Sequence, residues 1–340
     1  MEEKILDVHD LHVSFHTDDG VVQAVRGVDF SLNREDTLAI VGESGSGKSV
    51  TAKAIMKLLP KDHVNIPRGR VLYRQKDILH IPLQEMQKIR GSEISMVFQD
   101  PMTSLNPTMK IGKQIMEGII KHEKLTRSEA KKRAIHMLAL VGIPDAERRV
   151  HMYPHQFSGG MRQRVVIAMA LACHPKVLIA DEPTTALDVT IQAQILELMK
   201  TLQKKTGTAI MMITHDLGVV AKLAHRVAVM YAGEIVELGN VHDIFYQPKH
   251  PYTWGLLQSM PKLHAPKSSP LIPIPGSPPN LAHIGNGCPF ADRCRHVMKV
   301  CRLFSPPETV VSSNHTVRCW LQDERAPKQS KSPRVHLSPL

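Results

Sequence analysis

The chain has 340 residues, of which 42% are hydrophobic, and a formal net charge of +11. That length and apolar content suit one large or two modest domains with a real core, and exclude a disordered or fibrous chain. No apolar stretch reaches the ~18–20 residues of a membrane-spanning helix, since the longest clean run, residues 165–173, is about half that. The opening MEEKILDV is acidic and has no apolar signal region, which predicts a cytosolic protein whose membrane role, if it has one, runs through a partner.

In chain order, the first informative run is Leu38 to Val41, a short continuous apolar stretch that reads as a buried strand. Gly42-Glu43-Ser44-Gly45-Ser46-Gly47-Lys48-Ser49 follows and fits the phosphate-loop pattern G-x-x-x-x-G-K-[ST] in full. Glycines let such a loop turn tightly and aim backbone N–H groups at phosphate oxygens. Lys48 then reaches the β- and γ-phosphates of a nucleotide, and the Ser49 hydroxyl ligates Mg²⁺. A helical pattern over residues 50–59 adds the positive end of its dipole.

Further along, Thr126 to Glu129 is a capping-box pattern. Ala130, Ala134, Met137, Leu138 and Val141 then recur at helical spacing, most simply as core. Pro154 to Arg164 reads PHQFSGGMRQR. Its Ser158, Gly159 and Gly160 precede a helical pattern over residues 161–172, and bare N–H groups at a helix start make a ready anion site. The stretch has no lysine of the phosphate-loop kind. Cys173, at the end of this apolar helix, reads as a small buried residue.

A second buried-strand run, Val177 to Ala180, ends in Asp181 and Glu182. An acid at the end of a buried strand is costly unless paired or coordinated to a metal. Asp181 suits the Mg²⁺ site through water, and Glu182 is placed to take a proton from an attacking water. A third run, Ala209 to Ile213, leads to His215, at the strand end where parallel α/β sheets bind ligands. There it can hydrogen-bond the γ-phosphate.

The composition breaks near Pro261. Of 24 prolines, 13 lie in residues 261–340, and that segment carries 11 Lys/Arg against 4 Asp/Glu, or +7 of the total charge. No stacking aromatics or reader motif accompany this basic charge, so nucleic-acid binding is not expected. Four cysteines, Cys288, Cys294, Cys301 and Cys319, are spaced C-x5-C-x6-C-x17-C. A cytosolic chain disfavours disulfides, so clustered thiols suggest metal. The close C-x2-C pairs usual for zinc are missing, and four thiolates equally suit an iron–sulfur cluster; a metal-free set is the third alternative. Residues 326–340 read as a disordered tail.

The ordered set of motifs resembles an ABC-transporter ATPase of the dipeptide/oligopeptide (peptide/nickel) importer family: the phosphate loop, Gln99, FSGGM at 157–161, Asp181-Glu182, ALD at 186–188 and His215. The commonest family signature is LSGGQ, and FSGGM followed by RQR resembles the peptide-importer branch. The resemblance covers residues 1 to about 325. It implies an α/β fold, a P-loop nucleotide-binding domain over residues 1–260 with a helical subdomain at about 100–165. A proline-rich extension with the four-cysteine module would occupy 261–325.

By the same resemblance, Ser158, Gly159 and Gly160 hold the γ-phosphate of ATP bound to a second cassette. Phe15 stacks on adenine, although a phenylalanine there also reads as core. Gln99 contacts Mg²⁺ and the attacking water, and Asp188 sits in the loop that communicates between the two sites. The helical part would receive a helix from the membrane subunit. PKHPYT at 248–253 and GCPFADRC at 287–294 resemble the extension in which some members bind a [4Fe-4S] cluster. The implied partners are a related ATPase subunit forming a heterodimer, two transmembrane permease subunits and an external solute-binding protein. The implied location is the cytoplasmic face of the cell membrane.

Rival readings are an ABC ATPase of DNA repair or translation, an importer of nickel or another solute, and a redox sensor built on the cysteines. Repair members insert long heptad coiled coils, and none appears here. Ribosomal members usually carry two cassettes in one chain, whereas this chain has one phosphate loop.

Overall fold

The computed structural model describes residues 3–18, 20–60, 62–184, 187–259 and 273–327. The expected boundary at Pro261, Ala186 of the ALD motif and the tail from residue 328 lie outside the described residues. The chain divides into two compact units. The first comprises Met1–Leu6, Ser31–Thr37 and Leu72–Ile213, and the second Asp7–Phe30, Leu38–Val71 and Thr214–Leu340.

The first unit is built on three parallel strands, Ile94–Val97, Val177–Asp181 and Ala209–Ile213, with Ile94 opposite Val177 and Asp181 opposite Ile213. All three are buried throughout. Burial on both faces is why Val177–Ala180 and Ala209–Ile213 read as unbroken apolar runs rather than alternating ones. Parallel neighbours need a crossover, and the helix Val189–Thr206 supplies it between the last two.

The stretch between the first two strands is helical: Pro101–Ser104, Ile111–Glu123, Arg127–Leu140, Ala146–Arg149 and Gly159–Leu171. Arg127–Leu140 packs on Ile111–Glu123 and on Gly159–Leu171. Its start is the expected capping box, with the Thr126 N–H donating to the Glu129 carboxylate at 2.8 Å and the Glu129 N–H to the Thr126 hydroxyl at 3.4 Å. Such a cap contributes about 1 kcal/mol. Ala130, Ala134, Met137, Leu138 and Val141 are all buried, as their spacing predicts. Cys173 differs from expectation. The helix ends at Leu171 because His174 takes a left-handed conformation (φ 49°) ahead of Pro175, which leaves Cys173 beyond the helix and half-buried.

In the second unit, the strand Thr37–Val41 pairs in parallel with Arg226–Tyr231, Leu38 opposite Arg226 and Val41 opposite Val229. Arg226–Tyr231 turns back as Glu234–Asn240. Beyond that lie two strands that the sequence did not announce. His315–Arg318 pairs antiparallel with Glu234–Asn240, and Glu308–Ser312 forms a hairpin with His315–Arg318. The C-terminal extension therefore continues the sheet that carries the phosphate loop.

The carboxylate of Glu237 fastens this join. Fully buried, it accepts the N–H groups of Lys249 (2.6 Å) and His250 (3.0 Å), and pairs with Nε2 of His315 at 2.8 Å. A buried carboxylate is tolerable on these terms because its lone pairs are filled. His250 turns its Nδ1 to accept the Tyr252 N–H at 3.0 Å, capping the helix Pro251–Gln258. Burial holds that imidazole neutral by lowering its pKa to about 3, so Nδ1 stays free to accept.

Candidate functional site

The phosphate loop leaves the strand Thr37–Val41 at Gly42 and enters the helix Lys48–Ile55 at Gly47. The helix is shorter than the expected 50–59. Lys57 takes φ 50°, and the Leu58 N–H closes the last turn onto the Lys53 carbonyl at 2.8 Å. Two glycines are fixed by close approach. A Cβ on Gly42 would lie 2.1 Å from the Met230 carbonyl oxygen, and one on Gly47, at φ 102°, would lie 2.3 Å from the Ala24 carbonyl oxygen. The loop is thus wedged between two backbones that leave no room for a side chain.

Lys48 is buried, and its ammonium donates to the carbonyls of Gly42 and Glu43, both at 2.8 Å, and to the Ser46 hydroxyl at 3.3 Å. The Ser46 carbonyl accepts the Gly233 N–H at 3.0 Å. Ser44 and Gly45 form the exposed rim, and Ser49 is half-buried at the helix start. The Thr214 N–H donates to the Ile40 carbonyl at 3.2 Å, which sets the exposed His215 beside the strand that feeds the loop. Asp216 caps the following helix through the N–H groups of Gly218 and Val219. Phe15 lies half-buried in a strand, opposite Val64.

The first unit holds the acids. Asp181 is buried at the end of its strand, and the Glu182 N–H donates to the Ile213 carbonyl at 2.9 Å. Glu182 has φ 48°, a left-handed backbone uncommon for a side-chain-bearing residue. Such strain concentrates where function requires a particular side-chain aim. Its carboxylate accepts a hydrogen bond from the Gln99 amide at 2.8 Å, so two residues 83 apart in sequence meet.

The serine of FSGGM caps the helix Gly159–Leu171, its hydroxyl accepting the Met161 N–H at 3.4 Å. Phe157 is buried and fills the apolar place of the usual leucine. The two glycines differ in cause. A Cβ on Gly160 would meet Ile191 Cγ2 at 2.9 Å, whereas one on Gly159 would meet nothing within 4 Å. Packing within the chain explains the first and not the second. Asp188 caps the helix Val189–Thr206 by accepting the Ile191 N–H at 2.9 Å, which brings that helix start against the FSGGM turn.

The four cysteines of the extension line a single small cavity together with His250, Phe290, His296 and Trp320. None forms a disulfide. Each sulfur receives a backbone N–H: Cys288 from Phe290, Cys294 from His296 (3.4 Å), Cys301 from Met298 (3.5 Å) and Cys319 from Leu321. Burial pushes the Cys288 and Cys319 thiols up to about 12 and raises Cys294 as well. These thiols are therefore protonated at neutral pH unless a cation displaces the protons. Among the described residues, no group of three or more His, Cys, Asp or Glu is arranged about a single metal ion.

The model of the ABC transporter family matches residues 25–185, and that of the oligopeptide/dipeptide transporter C-terminal region matches residues 236–301. The oligopeptide transport ATP-binding protein OppD of Bacillus subtilis is 61% identical, over 96% of this chain and 91% of its own. The dipeptide transport ATP-binding protein DppD of the same organism is 58% identical over 95% and 96%. This chain belongs to that family of ABC ATPases. The OppD of Escherichia coli is 52% identical over 90% of both chains. Among solved structures, the ATP-binding cassette MJ0796 in a dimeric post-hydrolysis state with ADP and Pi matches at a TM-score of 0.63 and 27% identity. The match spans 69% of this chain and 98% of that one. No helix among the described residues is long and apolar enough to cross a membrane.

The sequence reading missed Tyr252, Tyr231 and Arg293, which surround the phosphate loop in the second unit. Tyr252 and Arg293 were signalled only by the family-like strings PKHPYT and GCPFADRC, and Tyr231 by neither.

Proposed function

We propose that this cassette is the ATP-hydrolysing subunit of a membrane importer of di- and oligopeptides. It would bind at the cytoplasmic face of the membrane on two permease subunits, fed by an external solute-binding protein. The observation that carries the reading is a near full-length likeness to peptide-transport ATP-binding proteins that includes the C-terminal region. The nickel alternative stays within the same architecture, with a different cargo. Peptide is favoured because the relatives are named for it.

The reaction is in-line attack of water on the γ-phosphate. Lys48 would move from the Gly42 and Glu43 carbonyls onto the β- and γ-oxygens, and the loop amides would take the remaining charge. Glu182 would accept the proton of the attacking water, with the Gln99 amide orienting its carboxylate. His215 would hydrogen-bond the γ-phosphate, and Phe15 would stack on adenine. By the family resemblance, the Ser49 hydroxyl, the Gln99 amide oxygen and the Asp181 carboxylate would be the donors to Mg²⁺, each a hard oxygen of the kind this ion prefers. When bound, Mg²⁺ would neutralise charge on the β- and γ-phosphate oxygens.

The site is completed by a second, related cassette. Gly159 supports this, because among the described residues nothing within 4 Å accounts for its bare backbone, and it opens a 13-residue helix whose N-terminus suits phosphate. Val189, apolar and 81% exposed beside Asp188, supports a covered face there. Co-expression with both permeases and the partner ATPase should give a complex whose ATP hydrolysis rises when peptide-loaded binding protein is added. Stimulation by a nickel-loaded protein instead would reassign the cargo, and no association with permeases would overturn the transport role.

The finer reading of the cysteine cavity is a [4Fe-4S] cluster with a structural role. Four thiols lining one cavity and an N–H···S bond to each support it, since hydrogen bonds to cluster sulfur stabilise the ligated form, although the sulfurs would have to close in from their present arrangement to share one cluster. Zinc is the competing reading. Anaerobic purification should yield ~4 iron and ~4 acid-labile sulfide per chain, lost on Cys288→Ser. One zinc per chain, or no metal, would refute the cluster.

A further inference from the structure

Glu43, the second residue of the phosphate loop, has every polar group engaged. Its N–H donates to the Tyr252 hydroxyl at 2.9 Å, and its carbonyl accepts from Lys48 at 2.8 Å. Its carboxylate is gripped at both oxygens by the guanidinium of Arg293, at 2.6 and 2.9 Å. Arg293 lies 250 residues away, in the turn Ala291–Arg293 between Cys288 and Cys294.

The guanidinium is itself tightly held. Its Nε donates to the Pro275 carbonyl at 2.8 Å, and a terminal nitrogen also donates to the Tyr231 hydroxyl at 3.2 Å. It lies over the Tyr231 and Phe290 rings at 5.7 and 6.0 Å. Those rings and Tyr252 pack against one another, with centroids 4.5–5.4 Å apart. The backbone of the turn is fixed from the cysteine cavity, because the Ala291 N–H donates to the Cys288 carbonyl and the Cys294 N–H to that of Ala291. Only 6% of the Arg293 side chain is exposed, against 27% of that of Glu43. The arginine is thus the rigid jaw, and the loop residue is what it holds.

A planar fork on a carboxylate fixes direction as well as distance. Glu43 cannot rotate without breaking both bonds, so the carbonyl on which Lys48 rests cannot rotate freely either. We infer that Arg293 is a positioning residue for the phosphate loop, and that through it the four-cysteine extension sets the affinity of the loop for nucleotide. The inference rests on the reading that this loop binds ATP.

The test uses the full chain, with MgATP binding measured by titration and kcat and KM measured in the assembled transporter. Arg293→Ala should raise the dissociation constant and KM for ATP ~10-fold, with kcat at saturation within about twofold, as loss of charge-assisted bonds to the loop predicts. Arg293→Lys, which offers one point charge for a fork, should fall between. Glu43→Gln, at a partly exposed position and isosteric, should weaken binding in the same way while leaving the metal content of the cysteine cavity unchanged. The double variant should be no weaker than Arg293→Ala, because both changes remove one interaction. Cys294→Ser should weaken MgATP binding in the direction of Arg293→Ala.

Affinity within twofold of the original in folded Arg293→Lys and Glu43→Gln proteins would overturn the inference, as would effects that multiply in the double variant. A merely structural arginine would lower the melting temperature and leave KM alone. Should Arg293→Ala fail to fold, the lysine and Glu43 variants decide alone. If the unaltered chain binds no ATP, the failure belongs to the nucleotide reading. If it binds ATP and the variants match it, the failure belongs to the clamp.

Discussion

Replacing Glu182 by glutamine leaves a protein that binds ATP as before and hydrolyses it ~10³-fold more slowly, in the range lost with a general base. The substitution keeps the shape and the hydrogen-bonding reach towards Gln99, whose amide now donates to the carboxylate at 2.8 Å. It removes only the basicity. The left-handed backbone at this position, φ 48°, costs on the order of 1–3 kcal/mol whichever of the two side chains it carries, so the fold should not register the change. Single-turnover hydrolysis in the assembled transporter, beside equilibrium binding of MgATP, checks both halves. Turnover within tenfold of the original would remove Glu182 from the role of base.

Gly47→Ala should abolish measurable ATP binding. The new methyl would sit 2.3 Å from the Ala24 carbonyl oxygen and 2.8 Å from Met230 Cε, at a φ of 102° that side-chain-bearing residues avoid. The Ala24 carbonyl belongs to a strand backbone and cannot swing aside as a flexible side chain would. Relief must come from the loop, which moves the Lys48 amide and side chain with it. The strained dihedral alone costs about 1–3 kcal/mol, and the overlap adds to it. Gly118→Ala is the control, because it lies in the middle of a helix with nothing within 4 Å of the added carbon. It should stabilise that helix by about 1 kcal/mol and leave MgATP binding intact. Equal binding by the two alanine variants would show that the glycine of the loop is replaceable.

The parts of this protein legible in its sequence are those in which local pattern and final environment coincide. The runs at 38–41, 177–180 and 209–213 are apolar throughout because each is buried on both faces, and the pattern needed no partner to be read. Thr126 and Glu129 satisfy each other within one helical turn, so their geometry is contained in four residues. The family resemblance gave Gln99 and Glu182 separate roles, and their direct hydrogen bond is seen only in the folded chain. The edge hairpin 308–318 was hidden for the opposite reason. Its outer strand is almost wholly exposed, so no alternation marks it. Glu43 and Arg293 were unreadable as a pair. Each is an ordinary charged residue locally, and only the folded chain brings them together.

The sheet in the second unit has a practical bearing on how this protein is handled. A shortened chain stopping at residue 260 would look like a tidy minimal cassette on a sequence map. It would lack His315, so the Glu237 carboxylate would keep two amide donors and lose its imidazole, and the flank of Glu234–Asn240 would be stripped of its neighbour. An uncovered strand flank is an invitation to self-association. Poor solubility of such a fragment would report this missing seam and say nothing about the competence of the intact polypeptide.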